Sequence, residues 1–177
     1  MALHPTESPG FLLWHATLRW QRGVAAALAP LELTHVQFVL LACTWWLNEQ
    51  GEHPTQVGLA AQAGTDIKMT SQVLRTLEKK GLVEREVDEA DTRARRLRVT
   101  RRGARLAPRA IAVVEGVDAE FFSALTPADA VDFLSPLARL PGRDRSMSHS
   151  DQAAPGYAAD GNRTSARPSA LRKARRS

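Results

Sequence analysis

Apolar residues recur at helical spacing through most of the first 140 positions of the chain. Over residues 10–28 they fall three or four apart, which predicts an amphipathic helix that ends before Pro30. A second helix is predicted to begin after Thr34, because Thr34 and Gln37 have the spacing of a capping box. Residues 36–47 are apolar almost all round, which predicts a buried central helix.

Two shorter helices are predicted over residues 55–63 and 66–80. Thr55 and Asp66 are suited to cap their N-termini, and Gly81 supplies a left-handed stop. The side chains expected to face inward at helical spacing are Val57, Leu59, Ala60, Ala63, Ile67, Thr70, Val73, Leu74 and Leu77. The opposite face of the second helix carries Lys68, Ser71, Gln72, Arg75 and Lys79.

The pattern after Gly81 predicts a hairpin with a basic tip. Residues 82–87 and 97–100 form its two strands, and residues 88–96 form an arginine-rich loop. The order helix, turn, helix and hairpin is that of a winged helix-turn-helix, here over about residues 34–100. The predicted fold class is therefore mainly α with a small β-hairpin wing.

Helices are again predicted after the hairpin. One covers residues 101–125, in which Pro108 marks either a kink or the true start. A Thr-Pro pair opens a last helix over residues 126–140. Residues 1–9 are expected to be a flexible N-terminus, and residues 141–177 have too few apolar side chains to order themselves, which predicts a disordered basic tail.

The net charge of +5 is unevenly distributed along the chain. Residues 141–177 hold eight basic and three acidic residues, so this tail accounts for the whole surplus. Residues 68–109 nevertheless hold 13 basic and six acidic residues. A basic zone within a neutral body suits contact with phosphate groups. The basic end of the tail either adds salt-sensitive DNA affinity or only solubilises the chain.

Composition excludes several other classes of protein. The hydrophobic content of 44% and charged content of 24% are typical of soluble globular chains, and no apolar run approaches the ~20 residues of a membrane span. A single cysteine and no signal peptide favour a cytoplasmic location. Neither metal-ligand spacing nor a catalytic or nucleotide-binding motif is present, so no enzyme, metal or cofactor is expected.

Two sequence elements resemble those of a known family. They are Leu-Glu-Lys-Lys-Gly-Leu-Val at residues 77–83, and the stretch from Asp91-Thr-Arg to Val-Thr-Arg-Arg-Gly103. Together with the order of elements, they resemble the MarR family of transcriptional regulators over roughly residues 9–140. The resemblance implies a homodimeric repressor of a pseudo-palindromic DNA site, with dimerisation helices at residues 10–29 and 101–140. It also implies release by a small aromatic or phenolic effector bound between the dimerisation and winged regions.

The resemblance places the helix over residues 66–80 in the major groove. The residues assigned to DNA contact there are Lys68, Thr70, Ser71, Gln72, Arg75 and Lys79. Gln72 can pair with adenine, and Arg75 with guanine or a phosphate. The family often has Thr and Arg where this chain has Met69 and Gln72, so the base preference is left open.

The hairpin is expected to contact the neighbouring minor groove and the backbone. By resemblance, Arg93 is the tip arginine that enters the minor groove, and Asp91 holds it in place. Arg95, Arg96 and Arg98 are expected to bind phosphates. Strand alternation directs Arg96 and Arg98 to the face opposite Leu97 and Val99.

Three aromatic residues near the expected effector crevice, Trp14, His15 and Trp45, are candidates to line it. Aromatic residues at helical spacing are more often core, and both interpretations stay open. Cys43 lies in the middle of the buried helix, where cysteine usually acts as a small hydrophobe rather than a redox sensor. The rival to DNA binding is a winged-helix module that only contacts other proteins. Salt-dependent retention on random-sequence DNA, beyond what the basic tail itself contributes, distinguishes the two.

Overall fold

The computed structural model describes residues 4, 7–87, 95–126, 129, 132 and 133. Within these residues the fold is mainly helical with one antiparallel hairpin, as predicted. The elements are α1 (Pro9–Leu28), α2 (His35–Glu49), α3 (Gln56–Ala63), α4 (Ile67–Lys79), β1 (Val83–Val87), β2 (Arg95–Val99) and α5 (Arg101–Phe121). Short 3-10 segments follow α1 at Ala29–Leu31 and α5 at Phe122–Ala124.

Side-chain caps confirm the predicted N-termini of three helices, α2, α3 and α4. Thr34 and Gln37 form the capping box of α2, with reciprocal hydrogen bonds of 3.3 Å. Thr55 Oγ1 accepts from the amide of Gly58 at 3.1 Å, and Asp66 Oδ1 accepts from the amide of Met69 at 2.8 Å. Each cap pairs an amide that the first helical turn would otherwise leave unsatisfied, so these local signals fix where the helices begin.

Helix α2 is the centre of the core. Leu40 and Leu41 are fully buried, and α2 packs against five other elements: α1, α3, α4, α5 and β2. Contact with so many elements explains why α2 is apolar nearly all round. No single helix among the described residues is both long and apolar enough to cross a membrane. Only α1 with the 3-10 turn after it (Pro9–Leu31) and α2 pass such a test, as a pair bent by 73°.

Helix α1 is buried only at its C-terminal end. Val24 and Leu28 are fully buried, whereas Phe11 is 40% exposed and Trp14 is 56% exposed. The pattern therefore predicted the helix correctly, and the structure adds that Phe11, Trp14 and Ala25 of its apolar positions are exposed. Residues 11–15, in the N-terminal half of α1, are therefore exposed and lie outside the core of the described chain.

Helix α5 resolves the ambiguity at Pro108. It begins at Arg101, with Thr100 as its N-cap, and Pro108 lies inside it. Reciprocal hydrogen bonds between Thr126 and Asp129 form a further helix-cap arrangement where the last helix was predicted to start. Most of that helix and the tail over residues 141–177 lie outside the described residues, as does most of the N-terminus; residues 132 and 133 of the predicted helix are described and are helical.

Candidate nucleic-acid interface

Helix α4 presents one buried and one exposed face. Leu74 and Leu77 are fully buried against the core. The outer residues that the pattern predicted are all exposed except half-buried Ser71, and they are Lys68, Ser71, Gln72, Arg75 and Lys79. Gly64 and Gly81, before and after α4, both adopt a positive φ of 63°, a conformation that glycine allows at the ends of helices. The exposed face is polar and basic from Lys68 to Lys79.

Two apolar side chains predicted to face inward do not. Ile67 is 53% exposed and Val57 is 59% exposed, although both have the spacing of the inner stripe. Both lie in the first turn of their helix, and burial begins only with Leu59 in α3 and Thr70 in α4. Helical period alone could not show where the covering elements end.

Thr70 does not belong to the exposed face, so its assignment to DNA contact was wrong. Its side chain is fully buried, and its hydroxyl bonds to the Asp66 carbonyl and to Thr65 Oγ1, each at 2.8 Å. A hydroxyl so paired cannot reach a base or a phosphate. Thr70 instead ties the turn before α4 to its first helical turn.

We expect Thr70→Val to lower the free energy of unfolding by about 1 kcal/mol, because the near-isosteric side chain removes one internal hydrogen-bonding hydroxyl. Urea denaturation measures this loss. DNA affinity measured well below the unfolding midpoint should stay within about twofold of wild type. A large loss of affinity in the folded variant would contradict the structural role of Thr70.

The hairpin places its arginines on a regular strand. β2 begins at Arg95, so Arg95 and Arg96 belong to the strand and not to the loop as predicted. Antiparallel pairing aligns Arg98 with Glu84 and Leu97 with Arg85. Leu97 is buried and Arg98 is exposed, which confirms the predicted alternation.

The described wing arginines differ in how they are held. Arg95 is exposed, whereas Arg96 is half-buried and donates from Nη1 to the carbonyl of His53 at 3.2 Å. Arg98 pairs with Glu86 at 3.0 Å. This pair is nearly half exposed, so it costs little to break when a phosphate competes for the guanidinium. The tip residues Asp91 and Arg93 lie outside the described residues.

Neither of two cavities on the described chain is lined by a candidate effector residue. Trp14 and His15 contact each other on the exposed part of α1, with ring centroids 5.0 Å apart. Trp45 is half-buried against the core in α2. Two cavities of about 400 and 350 Å³ are lined by other residues, the larger by His53, Thr55 and Arg96 among others. The effector crevice therefore stays a prediction.

A polar cluster that the sequence did not reveal joins α1, α2 and α5. Trp20 Nε1 donates to Asp118 Oδ1 at 2.5 Å, and the Trp20 ring packs edge-on against His35 at 5.0 Å. Burial lowers the pKa of His35, and the nearby Asp118 carboxylate opposes that shift. Asp118 is 98 residues from Trp20, so no local pattern could have indicated this cluster.

Cys43 is half-buried, and burial raises the pKa of its thiol. Because the thiolate is the reactive form, we expect iodoacetamide at neutral pH to alkylate the native protein at least about tenfold more slowly than the urea-unfolded chain. Mass spectrometry of timed samples measures both rates. Rapid alkylation of the native protein, accompanied by loss of DNA binding, would contradict the hydrophobic role of Cys43.

A helix-turn-helix with a polar, basic second helix, followed by an arginine-bearing hairpin, defines a winged helix-turn-helix DNA-binding protein. The chain belongs to the MarR family of transcriptional regulators. The model of the MarR family matches residues 33–94. The chain is 46% identical over 136 residues to the uncharacterized HTH-type transcriptional regulator YdcH of Bacillus subtilis, covering 77% of this chain and 91% of that protein.

Two further relatives extend the comparison. The HTH-type transcriptional repressor Rv2887 of Mycobacterium tuberculosis is 34% identical over 140 residues, covering 79% of this chain and 98% of its own. The crystal structure of CouR from Rhodococcus jostii, bound to p-coumaroyl-CoA, superimposes with a TM-score of 0.72 at 26% identity. It covers 80% of this chain and 97% of CouR.

Proposed function

We propose that this protein is a homodimeric repressor that inserts α4 of each protomer into the major groove of a pseudo-palindromic operator. The observation that carries the proposal is the exposed polar and basic face of α4 opposite its buried stripe. On that face, Gln72 would pair with adenine, and Arg75 with guanine or a phosphate. Lys68 and Lys79 flank them as phosphate contacts, and Ser71 lies beside them.

The wing completes the footprint. Arg95 and Arg98 are exposed on β2 and would bind the backbone next to the groove that α4 occupies, with Arg96 as a half-buried third contact. Arg93 would enter the minor groove, with Asp91 in support. This assignment rests on the resemblance of the D-x-R element to the family pattern.

Dimerisation would involve the helices over residues 10–29 and 101–140. The supporting observation is the exposed apolar surface of α1, where Phe11, Leu12, Leu13 and Trp14 are 40–56% exposed. Exposed apolar residues in one contiguous segment mark an interaction surface more often than a free one. A twofold dimer places two copies of α4 on one face of DNA, about one helical turn or a multiple of it apart.

A small aromatic anion is proposed to release the operator. A crystal structure of Rv2887 contains salicylic acid, and CouR is bound to p-coumaroyl-CoA. In this chain, Trp14, His15 and Trp45 are the proposed crevice residues, and Trp14 and His15 lie on the same half of α1 as the apolar surface. A ligand bound there would act on the dimer and so on the spacing of the two α4 helices. A transcriptional regulator must reach DNA, which supports a cytoplasmic location.

Selection of bound sequences from a random DNA pool tests the proposal directly. The full chain should enrich an inverted repeat whose half-site centres lie about 10–11 base pairs, or a multiple, apart. Light scattering should give twice the chain mass of 19.4 kDa. Retention without any enriched sequence, removed by moderate salt, would instead favour a protein–protein module whose tail binds DNA non-specifically.

A further inference from the structure

The outer edge of β2 is covered by a side chain and a loop instead of a third strand. β2 pairs with β1 along one edge, so the amides of Leu97 and Val99 point to the other. The Leu97 amide donates to the Pro54 carbonyl at 2.9 Å. The Val99 amide donates to Asn48 Oδ1 at 2.8 Å. Edge amides that would otherwise face solvent are therefore paired.

Asn48 bonds to β2 as a strand peptide group would. Besides accepting from Val99, its Nδ2 donates to the Leu97 carbonyl at 3.2 Å and to the Glu52 carbonyl at 2.9 Å. Asn48 lies in the last turn of α2, the central helix of the core. One amide side chain thus links the core helix, the loop after it and the outer edge of the wing.

The same loop also contacts two wing arginines. The His53 carbonyl accepts from Arg96 Nη1, and His53 Nε2 lies 3.0 Å from Arg98 Nη2. Arg98 can only donate, so this contact requires a lone pair on Nε2. Asn48 Nδ2 lies 3.3 Å from the other ring nitrogen of His53. The Asn48 amide is therefore next to the ring that holds Arg98.

We propose that Asn48 is the positioning residue of the wing, fixing the angle of the hairpin, and so the direction of its arginines, relative to α4. An isolated two-stranded hairpin is only marginally stable, so its orientation depends on what holds its edge. Burial of Leu97 keeps the hairpin attached without Asn48. The additional effect of Asn48 is to set the direction in which the hairpin points. This inference rests on the proposed DNA binding, because its main consequence is measured as protection of the DNA under the wing.

Asn48→Asp tests the inference with almost no change of shape. The carboxylate can still accept from Val99, but its second oxygen faces the carbonyls of Leu97 and Glu52 where a donor stood. We expect operator affinity to fall about 10- to 100-fold, and the log–log salt slope to become shallower by about 0.9 for each phosphate that the wing no longer neutralises. Hydroxyl-radical protection of the minor groove under the wing should disappear, while major-groove protection under α4 persists.

Gln50→Glu is the matched control. Gln50 is exposed two residues further on, so the same amide-to-carboxylate change adds the same negative charge without touching β2. It should keep the minor-groove protection and lie within about threefold of wild-type affinity. If both variants weaken binding equally, charge alone explains the effect and the positioning role is overturned.

Asn48→Ala and hydrogen exchange give a readout that needs no DNA. The Val99 amide should exchange slowly in the wild type and quickly in Asn48→Ala, whereas the Arg98 amide, which faces β1, should stay slow in both. Unchanged exchange at Val99, or equal loss of wing and α4 footprints, would overturn the inference. If the wild type binds no operator at all, the proposed function fails, while the exchange experiment still decides whether Asn48 holds the wing.

Discussion

Gly103→Ala is expected to destabilise the protein by about 2–4 kcal/mol, a large effect for the addition of one methyl group. A Cβ at Gly103 would lie 2.0 Å from the carbonyl oxygen of Leu82. That oxygen is backbone and accepts a hydrogen bond from the amide of Thr100 at 3.1 Å, so it cannot move aside without opening the junction between the hairpin and α5. Urea denaturation followed by circular dichroism measures the loss of stability.

Gly116→Ala, in the same helix, is the matched control. No atom lies within 4 Å of a Cβ at Gly116, which is exposed. Alanine is the better helix former by roughly 0.5–1 kcal/mol, so this variant should be slightly more stable than wild type. Equal effects at the two glycines would show that helix propensity, and not the contact with Leu82, decides the result at Gly103.

Arg75→Ala is expected to weaken operator binding by about 1–3 kcal/mol for each half-site. A dimer contacts two half-sites, so its total loss is twice as large where the half-sites act independently. Arg75 is exposed on the polar face of α4, so its removal should leave the free energy of unfolding nearly unchanged. Gln72→Ala should have a similar effect, with the relaxed specificity at a different base pair. Titration of a selected operator and of single-base variants measures affinity and specificity together.

Arg109→Ala controls for the removal of one positive charge. Arg109 is exposed on α5, within the basic zone of residues 68–109 but outside the α4 face and the wing, so its removal tests whether charge alone governs binding. Its removal should change operator affinity less than threefold and relax no base position. If Arg109→Ala weakens binding as much as Arg75→Ala, net charge governs the interaction and α4 does not read the groove.

The Gly103 contact explains a motif that the sequence could show but not interpret. At the level of the sequence, the Val-Thr-x-x-Gly element marks only a resemblance to the family. In the structure, Thr100 caps α5 by accepting from the Gly103 amide at 3.1 Å, and donates its own hydroxyl to the Gly81 carbonyl at 2.6 Å. Glycine is required because the chain after Gly81 passes directly over α5. The partner lies 21 positions away, so no local pattern predicts it.

The residues assigned to DNA contact were likewise predicted only in part from the sequence. Exposure of Lys68, Gln72, Arg75 and Lys79 followed from helical period alone, because side chains at these spacings share a face. Thr70 belongs to the inner stripe by that same period. Its inclusion among the DNA contacts was wrong, because its side chain is fully buried. Spacing was the better guide, since a hydroxyl serves equally well as a buried partner or as a surface donor.

The N-termini of α2, α3 and α4, and the polar face of α4, could be predicted from the sequence alone, whereas the start of α5 could not. Helix caps and the helical period depend on residues only a few positions apart, so both can be recognised in the sequence. The tertiary structure decided what covers each face: α1 leaves the core at Phe11 and Trp14, and Asn48 holds an edge of β2 about 50 residues away. Such contacts depend on elements brought together by folding, and no periodic pattern records them.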